Sequence, residues 1–475
     1  PLIPTPAARH LLSRFSYGIT QQLVLDTKVL GASAWFEEQL APNYIPDNFA
    51  DGLKAWWPHL SWTPQQRWEE DQTGGMQGYE QQYDFMRWTL LRRIYTKRQV
   101  QESMAEFWSN LLHIPSPLSK SFPHRVGFDT TIRQYALGRF DDLLTAAVLH
   151  PAMLCYLDNA ESTWQAVNEN LGRELLELHT VGRTAGYSES QVTDSARILT
   201  GSHIDRFKTW EYSYQPEMHY TGPVTVMGFS SANSDRDGRA VLNEYLTYLA
   251  HHPATAQRIA RKLAVRFVCD EPSTSLVDDL ARVFLDSGTD IRQTLRALVR
   301  HPEFLASVGD KIRTPTEDLI QTLRVYGVAI SRPVNQQDAA NAIYYIAKTA
   351  GQVPFGWGAP DGFPDNGPVW SSSSRIMGSY HVHYSLAGGH WPDTGVRYRS
   401  HASWLPERRL RFDSFVDHLC RVLLGRGSTR VLLGAACIAT DQRPSDVVTR
   451  SCVLVKYRMP KLLGILLDTP QHLTR

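Results

Sequence analysis

A mainly α, multi-helix globular fold with a short β-hairpin-like excursion and long Gly/Pro-rich loops is what these 475 residues predict. Three observations lead there. Apolar residues recur at helical spacing along most of the chain. Polar residues alternating with aromatic or β-branched ones are confined to one stretch, "KTWEYSYQPEMHYTGPVTVMG". Apolar runs end at His-Pro and restart, as in "LLTAAVLHPAMLCYL" and "LRALVRHPEFLAS". Proline at a first helical turn accounts for that grammar, because its missing N–H would have no partner there anyway.

In chain order, "AARHLLSRFSYG" and "ASAWFEEQLAP" read as short helices, followed by a polar, aromatic-rich connector, "WTPQQRWEEDQTGGMQGYEQQ". From Tyr83 to His113 the pattern predicts one long helix or two successive ones, stopped by "HIPSPLSKSFPH". Further helices follow from "FDTTIRQYALG" to "TEDLIQTLRVYGVAI", interrupted by the alternating excursion. The text "GQVPFGWGAPDGFPDNGP" is a long irregular loop whose aromatic content speaks against disorder. Helical spacing resumes near Arg409 and continues to the end. A chain of this length exceeds what one core usually serves. Residues 1–330 are therefore expected to form a main helical lobe, with 331–475 an irregular region and a C-terminal helical segment packed on it.

The 49 Lys plus Arg nearly cancel the 48 Asp plus Glu, so the chain has no global basic footprint and nucleic acid is not an expected partner. The longest apolar runs, such as "VLLGAACIA", are about half of a membrane span, so none is expected. Five cysteines without paired spacing read as free thiols. The chain opens on Pro1 without an initiator methionine, implying that something upstream was removed or left out. "PLIPTPAARH" carries neither the charged nor the apolar region of a signal peptide.

The densest chemistry lies in "NENLGRELLELHTVGRT". On an ideal helix Glu169, Arg173, Glu177, Asn170 and Glu174 share one arc of about 140°, while Val167, Leu171, Leu175 and Leu178 occupy another. The bland account is a solvated face with Glu169–Arg173 and Arg173–Glu177 pairs worth about 0.3 to 0.5 kcal/mol each. Against it stands the turn text "TVGRTAGYSES" that follows at once, which puts the arc at the mouth of a loop. His179 falls on the far flank of the apolar face, so a zinc-protease spacing is absent. A second helix, "QESMAEFWSNLLH", has a comparable stripe of Glu102, Glu106, Asn110 and His113. If the two arcs met, carboxylates, Arg173, amides and His113 would share a low-dielectric pocket in which pKa values diverge.

Several segments, "FWSN", "ALGRFDDLLTAAVLHPAMLCYLDNAEST", "NENLGRELLELHTVG", "GYSESQVTDSARILTG", "HPATAQRIARKLAVRFV", "LRALVRHPEF" and "GQVPFGW" with "DGFPD", resemble in order and spacing the bacterial domain of unknown function 1800 (DUF1800) family. The resemblance covers nearly the whole chain. It implies a mostly helical bacterial protein, favours export, and attaches no activity to the motif. Family members usually carry His where this chain has Leu111, which weakens a metal site built on that helix unless His113 substitutes.

Smaller features complete the reading. "YHVHY" puts His381 and His383 on one face of an extended strand, workable ligand spacing with no third donor beside it. His251 and His252 read as helix-end groups, and "SSSS" as a polar turn. No phosphate loop, nucleophile elbow or haem motif occurs. The leading expectation is an enzyme, a hydrolase or lyase, with Glu177, Glu174 and Glu169 catalytic. Asn170, Arg173, Asn110, Glu106, His113, His179, Trp370 and Asp365 would contact a small-molecule or glycan substrate. A glycosidase needs a second carboxylate across the bond, from Glu106 or the loop around Asp361 and Asp365. Two alternatives stand beside it: a metal-dependent oxidoreductase with Glu and His ligands, and a non-catalytic protein in which the cluster is a buried polar network. No metal ligands are assigned, and cofactor and oligomeric state stay open.

Overall fold

The computed structural model describes residues 1–475. It holds 24 α-helices and four two-stranded antiparallel pairs, a mainly α fold as the periodicity predicts. No helix is long and apolar enough to cross a membrane. The alternating stretch, residues 208–228, supplies one strand to each of two pairs: Tyr212–Tyr214 pairs with Ser202–Ile204 before the stretch, and Val224–Val226 with Phe229–Ser231 after it. The predicted Tyr83–His113 run is two helices, Gly78–Tyr95 and Gln99–Leu111. They part where the Lys97 N–H turns away from the helical ladder to the buried Asp47 carboxylate, 3.0 Å away.

The His-Pro junctions use more than proline. His150, His252 and His301 each present Nδ1 to the backbone N–H two residues on, at 3.1 to 3.2 Å, capping the helices that begin at Pro151, Pro253 and Pro302. The imidazole thus takes the place usually filled by Ser, Thr or Asp, and an accepting Nδ1 must be unprotonated. Elsewhere ordinary capping boxes start the helices at Pro64, Glu189 and Pro315.

Two apolar cores form, one of 62 and one of 46 buried residues. They do not divide the chain at residue 330. Tyr17, Leu53, Trp57, Phe85, Leu91 and Val126 pack into the second core with residues from Leu319 to Leu467, while the first core takes most of the buried apolar residues from Leu11 to Leu40 and from Val100 to Phe304. The apolar faces of the early helices select the partner they cover, and sequence distance does not enter that choice.

One expectation is overturned locally. "YHVHY" lies inside the Ser373–Gly388 helix, not on a strand, so His381 and His383 point in different directions. His383 is buried and His381 exposed. All five cysteines are free, as the odd count implied.

Candidate functional site

The motif "NENLGRELLELHT" begins as a short α-helix, Asn170–Glu174, and continues as a π-turn, Leu175–His179. Gly172 sets its position, since a Cβ there would lie 2.6 Å from the Ala196 backbone nitrogen. The helix therefore presses directly on Glu189–Leu199, and the Ser195 hydroxyl donates to the Gly172 carbonyl at 3.2 Å. Wider i→i+5 winding leaves carbonyls without helical partners. Thr180 Oγ1 donates to the Leu175 carbonyl at 2.6 Å, Gly182 N to Leu176 at 2.8 Å and Arg258 Nη2 to Leu178 at 2.8 Å.

The predicted arc is split between solvent and protein. Glu169 faces outward, bound by Arg173 at 3.2 Å and the Thr193 hydroxyl at 2.6 Å, and Arg173 reaches Glu189 at 2.7 Å. Asn170 is exposed. This group is a solvated bridge between neighbouring helices, of the kind worth about 0 to 1 kcal/mol. The predicted Arg173–Glu177 pair gives way to Glu177–Arg183. His179 is fully buried, its Nδ1 has no partner, and burial then Arg258 push its pKa down to about 3.

Glu174 differs from its neighbours. It is half-buried, and its Oε2 is shielded from solvent with no hydrogen-bond partner. Burial raises its pKa; Arg183 and Arg173 oppose the rise and Asp361 adds to it. Tyr156 and Asp361 approach it from other parts of the chain, and Lys262 approaches Asp361. Tyr156 is pushed up to about 12 by burial and by the charges of Glu174 and Asp361. Lys262 is lowered by burial despite Asp365 and Asp361. Asp361 is exposed and accepts the Trp357 indole N–H at 2.8 Å.

The irregular loop that carries Asp361 is fastened by the second polar helix. His113 Nε2 bonds to the Trp357 carbonyl at 2.8 Å, and burial holds its pKa down to about 4, so the ring is a neutral donor. Asn110 Oδ1 receives the Phe363 N–H at 3.4 Å. Gly362, at φ +71°, lies so tightly on the Asn110 carbonyl that a side chain has no room. Trp370 donates its indole N–H to the Pro364 carbonyl at 2.9 Å and is buried, closing the loop on itself. Gly362→Ala is expected to lift the loop from the helix and cost about 1 to 3 kcal/mol, from a strained φ and overpacking together. Urea denaturation reads the loss, and protease nicking confined to residues 351–370 reads the displacement.

The family profile described as "Protein of unknown function (DUF1800)" matches residues 10–474. The chain belongs to the DUF1800 family. No curated protein and no solved structure matches it.

In this DUF1800 chain Leu111, the position at which the resemblance led one to expect His, is buried in the first apolar core. His113 does not take over as a ligand; it is spent on the loop. Glu106 does not meet the motif helix either. Its carboxylate accepts from Arg93 at 2.9 Å, Arg266 at 2.9 Å and the Tyr17 hydroxyl at 2.7 Å. Arg266 goes on to Glu317 at 3.0 Å and Asp365 at 3.2 Å, and Arg475 joins Glu317 at 2.8 Å. Three guanidiniums thus balance three carboxylates between the two cores. Asp365 ties the end of the loop to this network instead of facing the motif helix.

The DUF1800 chain has a second polar centre that sequence reasoning missed. A cavity of about 450 Å³ lies among the Pro315–Tyr326 and Ser373–Gly388 helices, the end of Ala339–Thr349, and Trp391. Asp318 and His383 are on its wall. His383 was visible in "YHVHY", but its partners come from residues 65 positions before and 85 and 89 positions after it. No spacing rule reaches that far.

Proposed function

We propose that this protein is an acid–base enzyme, a hydrolase or lyase acting on an extended substrate such as a glycan, with Glu174 as the proton donor. One observation carries this reading: Glu174 is the carboxyl group of the motif that is partly dry, unpaired at one oxygen and raised in pKa, while Glu169 and Glu177 are neutralised by arginines. A carboxyl raised in pKa by burial beside an exposed one is how one site separates acid from base. Asp361, on a loop at the mouth of the motif, is the second carboxylate. Tyr156, shifted by the charges of both Glu174 and Asp361, completes a cluster drawn from three separate segments, and such clusters mark sites more often than random surfaces. Asn110, His113 and Trp370 position the Asp361 loop without touching substrate. Arg183 holds Glu177 and orients the turn.

The test is Glu174→Gln, with Glu177→Gln beside it, on a panel of oligosaccharides read by release of reducing ends or unsaturated products. Replacing a general acid removes about 10²- to 10⁴-fold in rate. Thermal stability should be unchanged or slightly higher in Glu174→Gln, because the half-buried acid carries a desolvation cost that the amide lessens. Wild-type turnover in Glu174→Gln overturns the reading; a large fall in melting temperature points instead to a structural role.

A further inference from the structure

We propose that Asp318, His383 and His472 bind one divalent first-row transition-metal ion at the inner wall of the 450 Å³ cavity, a centre separate from the Glu174 site. The three residues come from three helices, Pro315–Tyr326, Ser373–Gly388 and Pro470–Leu473, and are 3 %, 1 % and 0 % exposed. Asp318 Oδ1 lies 3.0 Å from His383 Nε2 and 2.9 Å from His472 Nε2, and the three atoms sit within 4.8 Å of one another. Bonds of about 2.1 Å from one ion to ligand atoms at right angles put those atoms about 3.0 Å apart, so the spacing suits a shared ion as well as hydrogen bonds.

The outer partners fit the same assignment. A metal-bound imidazole donates its other N–H to an acceptor, which fixes ring and tautomer. His383 Nδ1 is 2.7 Å from Asp468 Oδ1. His472 Nδ1 is 3.1 Å from the Gln321 side-chain amide, whose Oε1 is buried without any partner. Turning that amide over, a choice set by the hydrogen-bond network, puts the orphaned oxygen on the His472 N–H and turns both Nε2 atoms to the ion, with the Thr322 hydroxyl 3.3 Å from His472 Nε2 and donating to the Asp318 carbonyl. The other Asp318 oxygen is occupied: Ser379 Oγ donates to Oδ2 at 2.6 Å, and Arg375 stands 3.5 Å from it while bonding the Arg313 carbonyl at 2.9 Å. Asp318 therefore offers one oxygen inward. Two imidazoles and one carboxylate leave further coordination positions, and Asp318 and His383 open onto a cavity rimmed by Arg375, His381, Tyr345 and Trp391. This donor set is the one that holds non-haem iron or zinc with positions left for water or substrate.

The experiment uses the whole purified chain, dialysed against chelator and titrated with Co²⁺ and then Zn²⁺. One Co²⁺ per chain is expected, with visible d–d absorption that Zn²⁺ abolishes by displacement and a melting temperature that rises with metal concentration. Asp468→Asn should weaken binding about 10- to 100-fold by removing the outer partner of His383. His472→Gln should lose stoichiometric binding altogether. Absence of stoichiometric binding by the folded wild-type chain, or unchanged affinity in His472→Gln, overturns the proposal. Should His472→Gln fail to fold, X-ray absorption of the cobalt-loaded wild type decides, with two imidazoles required and fewer ruling the site out. Glu174→Gln retains the metal whichever way its own test falls, so the two readings fail independently.

Discussion

Between pH 7 and about pH 5 the protein is expected to lose most of its stability. His113, His124 and His179 are buried and His150 is half-buried, and desolvation is the largest cause pulling their pKa values from 6.5 to about 4, 4, 3 and 3 for His113, His124, His150 and His179. Each is depressed in the native state, so below pH 6.5 the unfolded chain takes up protons that the folded chain refuses. The stability they permit is complete above pH 6.5 and falls as pH drops toward 4. One such proton is worth about 1.4 kcal/mol per pH unit, and four together about 5 kcal/mol per unit, against a total of about 5 to 15 kcal/mol for a typical protein. The mechanism is local as well as global. His150 Nδ1 caps a helix by accepting the Ala152 N–H at 3.1 Å, and His179 and His124 each have a buried ring nitrogen with no partner at all. Urea denaturation at pH 7, 6 and 5 gives the slope. His150→Asn, which keeps a good cap but does not titrate, should reduce that slope by about one proton. A flat profile from pH 7 to 5 would show that these rings reach water.

Glu106→Ala is expected to be the most damaging single change in the chain, about 3 to 5 kcal/mol. It strands Arg93 and the Tyr17 hydroxyl, and takes one of three carboxylates from Arg266, in a region where the carboxylate is only 7 % exposed. Glu106→Gln keeps acceptor capacity but not charge and should cost less. The network is where the two apolar cores meet, so chemical denaturation of Glu106→Ala should also broaden as the cores uncouple. A loss of under about 1 kcal/mol would mean that water already screens these ions.

These two results bear on how much of the site could be read in advance. The motif was legible because Glu, Arg and Asn recur at i, i+3 and i+4, and the loop because Gly and Pro crowd into residues 351–368. The wheel placed Glu169, Glu174 and Glu177 on one arc only by assuming uniform winding. The π-turn at Leu175–His179 breaks that assumption for Glu177, while Glu169 and Glu174, on the α-helical part, differ through the distant segments packed beside them. Glu106 showed the right residue type on the right helix face, yet its partners Arg93, Arg266 and Tyr17 have no sequence relation to it. Asp318 gave no sign at all, sitting in "PTEDLIQ" where an acidic first turn is ordinary helix chemistry.

Local interactions were therefore decided by the sequence itself: helices and their ends, one strand of each short pair flanking the alternating stretch, free thiols, helices too short or too polar to cross a membrane, and a summed charge near zero. Such features depend on residues three or four apart, on φ restrictions at Pro and Gly, and on summed charge. Only the tertiary structure decided which carboxylates stay solvated and which lose water, which apolar faces share a core, and that Asp318 meets His383 and His472. Those outcomes depend on desolvation and on contacts between distant segments, and neither quantity exists until the chain has closed on itself.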